Sequence, residues 1–118
     1  MKGLPPTVDL TSLSRARVIQ LCFGENEFQV HFDNTARVVV ESDMTLCEPQ
    51  SIDVRIVKYG EAASQLCRIL GDRVLNAVRT ADGGLLLRFE RGAELQILNN
   101  NAQFESFQVH IAGETYVA

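Results

Sequence analysis

The segment Asp82–Ile97, DGGLLLRFERGAELQI, decides the fold of this chain. Apolar side chains recur at every second position on both sides of a short turn, Arg91-Gly92. They are Leu85, Leu87 and Phe89 before the turn and Ala93, Leu95 and Ile97 after it. Period-two alternation places one set of side chains on one face of a strand. The segment therefore predicts a β-hairpin with a buried apolar face and a solvated polar face.

The same pattern occurs 57 residues earlier, in Asn26–Val40, NEFQVHFDNTARVVV. The strand before each hairpin also matches, Arg17-Val18 with Arg73-Val74, at an offset of 56 residues. One extra residue in a hairpin loop would account for the difference. We interpret the matches as two copies of a three-stranded meander, at about 15–42 and 73–98, although any two amphipathic hairpins share some of this pattern. Two copies are too few for a solenoid, so we expect one closed domain over residues 1–118.

The rest of the chain adds short elements to these meanders. Residues 1–14, with two prolines, predict an extended lead-in. Alternation predicts a short strand at Ile52–Val57 and a last strand at Phe104–Ile111, in which Phe104 is out of register and requires a bulge or an exposed ring. Helical spacing predicts an α-helix at Glu61–Leu70, with Cys67 buried beside its apolar stripe.

These elements predict a mainly β fold. We expect seven or eight mostly antiparallel strands, in which the two repeated three-stranded meanders form a sandwich or an open barrel. One α-helix, near residues 61–70, connects the two halves.

Composition limits the classes of function and the cellular compartment that we expect for this protein. The net charge of −4 argues against direct binding of nucleic acid, which requires clustered lysine and arginine. The three widely spaced cysteines favour reduced thiols in a cytoplasm over a disulfide framework. We find no secretory signal and no apolar run long enough to span a membrane. The expected protein is cytoplasmic, with no membrane or nucleic-acid partner.

No catalytic constellation is visible in the sequence. The two histidines, His31 and His110, lie on the polar sides of their strands and show no metal-ligand spacing. No serine has the context of a nucleophile, and Asp82-Gly83-Gly84 is typical of a hairpin turn and not of a phosphate loop. We therefore predict a non-enzymatic protein without catalytic residues, metal ligands or cofactors.

The distribution of charge is the most informative functional signal. Residues 38–54 and 92–118 contain acids but no lysine or arginine. If these segments adjoin in the fold, their carboxylates form a negative patch that favours encounter with a basic partner. A solvated surface that serves solubility is the alternative. The predicted partner-binding residues are Glu41, Asp43, Glu48, Asp53, Glu94 and Glu105.

The chain resembles a family of small, uncharacterised bacterial all-β domains. In that family a Leu-Cys-Arg-Leu-Leu-Gly-like segment precedes a strand–Gly–strand hairpin, and a Glu-Ser-Trp motif follows. Here the motifs correspond to Leu66–Gly71, to Asp82–Phe89 with Gly92, and to Glu105-Ser106-Phe107, where Phe replaces Trp. The resemblance covers about Leu66–Phe107 and implies structural roles for these positions but no activity.

In general type, the chain also resembles the immunity proteins of contact-dependent toxin systems, which are small, acidic and cytoplasmic. That resemblance implies a protein that binds a basic toxin domain, for example a nuclease, and neutralises it by occlusion. Two other hypotheses remain open. One is a small-ligand-binding β-barrel or minor hydrolase whose interior pocket is lined by Gln20 and Asn76. The other is a structural subunit that dimerises through edge strands.

Overall fold

A computed structural model describes residues 3–100 and 106–118 of the chain. It contains ten strands: β1 (Val18–Phe23), β2 (Phe28–Phe32), β3 (Arg37–Val40), β4 (Met44–Cys47), β5 (Val54–Ile56), β6 (Val74–Arg79), β7 (Leu85–Phe89), β8 (Glu94–Ile97), β9 (Phe107–Ile111) and β10 (Glu114–Val117). They form two antiparallel sheets of five strands. Sheet 1 has the order β1-β2-β3-β9-β10, and sheet 2 has the order β5-β4-β8-β7-β6. The two sheets pack as a sandwich and not as a closed barrel, which confirms the mainly β prediction with two meanders.

Each meander lies in one sheet, and the hairpin that follows it crosses to the other sheet. Strands β1–β3 belong to sheet 1, but the next hairpin, β4–β5, joins sheet 2 by pairing Met44 with Ile97 of β8. Strands β6–β8 belong to sheet 2, and the hairpin β9–β10 joins sheet 1 by pairing Phe107 with Val40 of β3. Each half of the chain therefore completes the sheet that the other half begins.

The two halves are also joined by a short backbone ladder with matching hydrogen bonds. The Val18 N–H donates to the Asp72 carbonyl at 2.9 Å. The Val74 N–H, at the equivalent position of the second meander, donates to the Ala16 carbonyl at 2.9 Å. These bonds tie the start of β1 to the start of β6, so the outer strands of the two sheets meet at one corner of the sandwich.

A β-bulge occurs at the same place in both meanders. The pairing register shifts after Val18 in β1 and after Val74 in β6. The bulged residues, Ile19 and Leu75, are largely exposed, at 49% and 55%. A bulge inserts one residue into a strand and so exchanges the faces of the residues that follow it.

The bulge overturns the proposed lining of an interior pocket. Gln20 and Asn76 would face inward in an unbroken alternation, but both are exposed. Leu21 and Ala77 pack against the core in their place. The space between the sheets is filled by apolar side chains, the largest of which are Phe28, Phe32, Phe89 and Phe107.

The predicted α-helix is shorter than expected. Residues 61–70 contain only one α-helical turn, α1 (Ala63–Leu66), between the 3-10 turns Tyr59–Ala62 and Cys67–Ile69. Leu66 and Ile69 are fully buried, as their spacing indicated. Cys67, however, is exposed, and the prediction that it is buried was wrong. The 3-10 turn has a tighter period than an α-helix and turns Cys67 outward.

Two further elements were missed. The strand β4 lies in a stretch of sequence that gave no strand signal, although Met44 and Leu46 are buried in it. The lead-in contains a 3-10 turn, Thr11–Leu13, which corresponds to Cys67–Ile69 at the repeat offset of 56 residues. Leu13 is fully buried. The repeat therefore begins before the first meander. The predicted bulge or exposed ring at Phe104 lies outside the described residues.

The turn between the second and third strands of each meander yields a matched prediction. Thr35 and Gly92 occupy equivalent positions, with φ of 69° and 107°. A left-handed backbone costs a non-glycine residue about 1–2 kcal/mol, which a substitution to glycine removes. Glycine also makes the unfolded chain more flexible, and this offsets about 0.5–1 kcal/mol of the gain in stability. Because Thr35 is exposed, Thr35→Gly should raise the free energy of unfolding by up to about 1 kcal/mol in urea titrations.

The reciprocal variant serves as the control. A Cβ at Gly92 would lie 2.6 Å from Cγ of Pro49, closer than two carbon atoms can approach. Gly92→Thr should therefore lower the free energy of unfolding by about 2 kcal/mol or more. If both substitutions changed the free energy of unfolding in the same direction, the structural equivalence of the two turns would be contradicted.

Candidate functional site

Four of the predicted acidic residues that the structure describes lie near one of two side chains, Tyr59 or Cys47. Glu41 and Asp43 flank the connection from β3 to β4, and both lie near the phenol of Tyr59. Asp53 and Glu94 both lie near the thiol of Cys47. The other two are Glu48, which follows β4, and Glu105, which lies outside the described residues.

Three of these acids carry an arginine partner. The pairs are Asp43 with Arg55 at 2.8 Å, Glu48 with Arg68 at 2.5 Å, and Glu94 with Arg88 at 3.6 Å. Each arginine is more than 40% exposed, so solvent screens the pairs and each contributes little to stability. The pairing nevertheless neutralises much of the negative charge that the sequence predicted at these positions.

Tyr59 marks the point at which negative charge does accumulate. Its side chain is buried, and its hydroxyl donates a hydrogen bond of 2.7 Å to the carbonyl of Ser42. Burial raises the pKa of Tyr59 to about 12, and the negative charges of Asp43, Glu41 and Glu27 add to the rise. These three carboxylates therefore lie near enough to the phenol for their charge to act on it.

A cleft of about 840 Å³ opens beside Tyr59, and we call it the acidic cleft. Its walls come from three separate parts of the chain: the β1–β2 turn at Gly24–Asn26, Glu41 after β3, and the segment Val57–Glu61. Three carboxylates line it, and a single amine, Lys58, lies 3.9 Å from Glu61.

Sequence reasoning found only part of the acidic cleft. Glu41 was among the predicted residues, but the other two lining glutamates, Glu25 and Glu61, were not. These glutamates fall outside the segments that lack basic residues, so counting charge along the chain passed over them. The repeat could have indicated Glu25, because it places the β1–β2 turn and the end of β3 at the same end of a meander. Glu61 follows β5, and its approach to the cleft depends on tertiary folding.

Exposed apolar side chains adjoin the acidic cleft. Val57 is 62% exposed and lines both the cleft and a neighbouring groove of about 390 Å³ between β5 and α1. Val54, the first residue of β5, lines the same groove, and Ile52, 89% exposed, lies two residues before it. Among the described strands, β5 pairs with β4 alone. The region thus combines apolar anchors with a surrounding rim of charge.

The second acidic cluster surrounds Cys47. Burial raises the pKa of the Cys47 thiol to about 11, and a hydrogen bond and negative charge from Asp53 and negative charge from Glu94 reinforce the rise. A thiolate is the reactive form of cysteine. This environment therefore suppresses the reactivity of Cys47 and does not activate it.

Within residues 3–100 and 106–118, no group of three or more histidine, cysteine or acidic side chains is placed to hold a metal ion. Among the same residues, no helix has the length and apolarity to cross a bilayer.

A family profile matches residues 10–118. The chain belongs to that family, a family of unknown function (DUF6188). The DUF6188 match begins at Leu10, a buried residue directly before the 3-10 turn Thr11–Leu13. It agrees with the resemblance to an uncharacterised family and adds no activity. No curated protein and no solved structure gives a significant match.

The buried phenol predicts a loss of stability at alkaline pH. Because the pKa of Tyr59 is raised to about 12 from an unfolded value of 10, the folded state favours the neutral phenol. Its contribution is present below pH 10 and is lost as the pH rises towards 12, by about 2–3 kcal/mol in all. Urea unfolding of Tyr59→Phe between pH 8 and 12 should show a shallower decline than the wild type.

Tyr116→Phe is the matched control, because Tyr116 is the other tyrosine and is only partly buried. This variant should retain most of the alkaline decline. If Tyr59→Phe declined in parallel with the wild type, the buried phenol would not be the cause.

The cysteines should differ in alkylation rate at pH 8. With a pKa of about 11, Cys47 holds only about one thiolate per thousand molecules at this pH, whereas Cys67 is exposed. Iodoacetamide should modify Cys67 first and Cys47 at least about tenfold more slowly, as followed by peptide mass spectrometry. In urea the two rates should converge. Faster labelling of Cys47 in the folded protein would refute the protective role of its acidic neighbours.

Proposed function

We propose that this protein is a non-enzymatic binding protein that engages a basic protein partner through the acidic cleft. The supporting observation is the convergence of Glu25, Glu41 and Glu61, from three separate segments, on one concave surface. Like charges repel, so their concentration costs folding free energy and requires a compensating benefit. A complementary positive surface supplies that benefit, since charged clefts speed encounter and select the partner.

The exposed apolar residues beside the cleft give the proposed interface its affinity. Binding energy concentrates in a few desolvated side chains, whereas rim charges mainly set the association rate and the specificity. Val57 and Ile52 are the apolar candidates, because they are the two most exposed large apolar residues that the structure describes. Val57 lines the cleft, and Ile52 precedes the neighbouring strand β5. The interface would then have apolar contacts on both sides of β5 and a negative rim in the cleft.

The finer form of the proposal is an immunity protein that neutralises a cognate bacterial toxin. A toxin that acts on nucleic acid carries a basic substrate-binding surface, because phosphate groups must be neutralised there. The acidic cleft would cover that surface and exclude the substrate. The small size and net negative charge of the chain support this form by resemblance of type.

The test uses the whole chain as bait against proteins of its own host, including the product of the adjacent upstream reading frame. We expect this protein to form a stoichiometric complex with a basic toxin domain, and the toxic activity of that domain should fall as the complex forms. With the partner in hand, Glu25→Lys/Glu61→Lys should weaken binding by about tenfold or more, mainly through slower association, as measured by surface plasmon resonance.

Glu90→Lys/Glu114→Lys is the matched control. It makes the same change in net charge at two exposed glutamates that do not line the cleft. The control should bind within about twofold of the wild type at physiological salt, where distant charges are screened. Equal losses in both variants would show that net charge, and not the cleft, governs binding. A captured partner that keeps its full activity in the complex would rule out the immunity form.

A further inference from the structure

The same tetrapeptide, Phe-Gln-Val-His, occurs in two strands that flank β3. Phe28–His31 opens β2, and Phe107–His110 opens β9. Both strands pair with β3 in matching register, so that His31 and His110 lie on either side of Arg37. Since neighbouring strands lie about 4.8 Å apart, the outer face of sheet 1 carries two imidazoles with one guanidinium between them.

Hydrogen bonds fix the orientation of the His31 ring. The Gln29 Nε2 donates to the carboxylate of Glu27 at 2.8 Å, which turns the Gln29 Oε1 towards His31. That oxygen lies 2.8 Å from the His31 Nε2. Because an amide oxygen only accepts, the Nε2 carries the proton in the neutral ring, and Nδ1 gains a proton only when the ring becomes charged.

His110 is held by an equivalent bond. Its Nε2 lies 3.0 Å from the Oε1 of Gln108, and its Nδ1 lies 3.0 Å from the hydroxyl of Thr115 on β10. Burial lowers the pKa of His110, and the positive charge of Arg37 lowers it further. Hydrogen bonds therefore hold both rings in place, and the surroundings of His110 disfavour its charged form.

The second repeat provides an internal comparison. In sheet 2 the position equivalent to Arg37 is Glu94, which pairs across strands with Arg88 and Cys47. Arg88 and Glu94 form an ion pair at 3.6 Å, so charge is compensated on that face. Arg37 differs, because within the part of the chain that the structure describes no carboxylate forms an ion pair with it.

We propose that His31, Arg37 and His110 form a binding site for a tetrahedral oxyanion, a phosphate or sulfate group, on the outer face of sheet 1. The Arg37 guanidinium supplies a permanent charge and a donor fork that matches such an anion. The histidines supply further donors and charge once they are protonated. This proposal concerns a different face from the acidic cleft and does not depend on the proposed function.

The site strengthens as the pH falls. A bound anion stabilises the protonated imidazoles, so binding and protonation reinforce one another. Gln20 of β1 faces His31, and Thr115 of β10 faces His110. The charged groups near the rings are Arg37 between them, Glu27, which acts on His31 through Gln29, and Glu114 of β10, which lines a shallow pocket with His110. Since Arg37 disfavours the imidazolium form of His110 in the free protein, an anion that compensates the charge of Arg37 favours protonation of that ring.

The test is a titration of the full chain with sodium sulfate, followed by NMR of the imidazole protons at constant ionic strength. Sulfate keeps its charge across the range, so any pH dependence belongs to the protein. We expect saturable shifts at both His31 and His110, with an affinity at least tenfold tighter at pH 5.5 than at pH 8.5. At pH 5.5, comparison of inorganic phosphate with phenyl phosphate distinguishes a site for the free ion from one that accepts an ester.

Three variants test whether Arg37 is required for binding of the anion. Arg37→Gln should abolish the saturable shifts, whereas Arg88→Gln, the matched arginine of sheet 2, should keep them. Arg37→Lys preserves the charge but lacks the donor fork of the guanidinium, so it should bind sulfate at least fivefold more weakly than the wild type. Because this variant keeps the charge, it also controls for a folding defect in the glutamine variant. Shifts that persist unchanged in Arg37→Gln, or an affinity that does not vary with pH, would overturn the proposal.

Discussion

The structure depends on the exchange of hairpins between the two halves of the chain. A three-stranded meander with one apolar face cannot bury that face alone, and its third strand offers an open edge. The β9–β10 hairpin covers the edge of β3, and the β4–β5 hairpin covers the edge of β8. The ladder at Val18 and Val74 then fixes how the two sheets meet. Every surface described above is positioned by this arrangement.

The two repeats preserve their inner faces and differ in their outer faces. Phe32 and Phe89 occupy equivalent buried positions, because the space between the sheets tolerates few changes of volume. On the outer faces no such packing applies. There Arg37 corresponds to Glu94, and the two sheets carry opposite charge at the same place. Chemistry specific to one sheet therefore appears where the repeats diverge.

Sequence patterns predicted the parts of the fold that depend on local alternation. The meanders were predicted because Leu85 and Leu87 mark one buried face. The exchange of hairpins was not, since pairing between distant strands leaves no local signal. The bulge after Val18 was missed for a related reason, because one inserted residue looks like ordinary alternation until its partner strand is known. The acidic cleft was found only through Glu41, because its other carboxylates converge by tertiary folding.

The exchanged hairpins also bear on the origin of the fold. A half-length chain that ended before β6 would build three strands of one sheet and one hairpin of the other, with the edge of β3 left open. A second copy of the same half could close that edge with its own hairpin, and the first could do the same in return. The present chain thus has the topology of a domain-swapped homodimer whose two subunits have become covalently linked. Duplication followed by fusion would free each half to change its outer face independently while the shared interior kept them together.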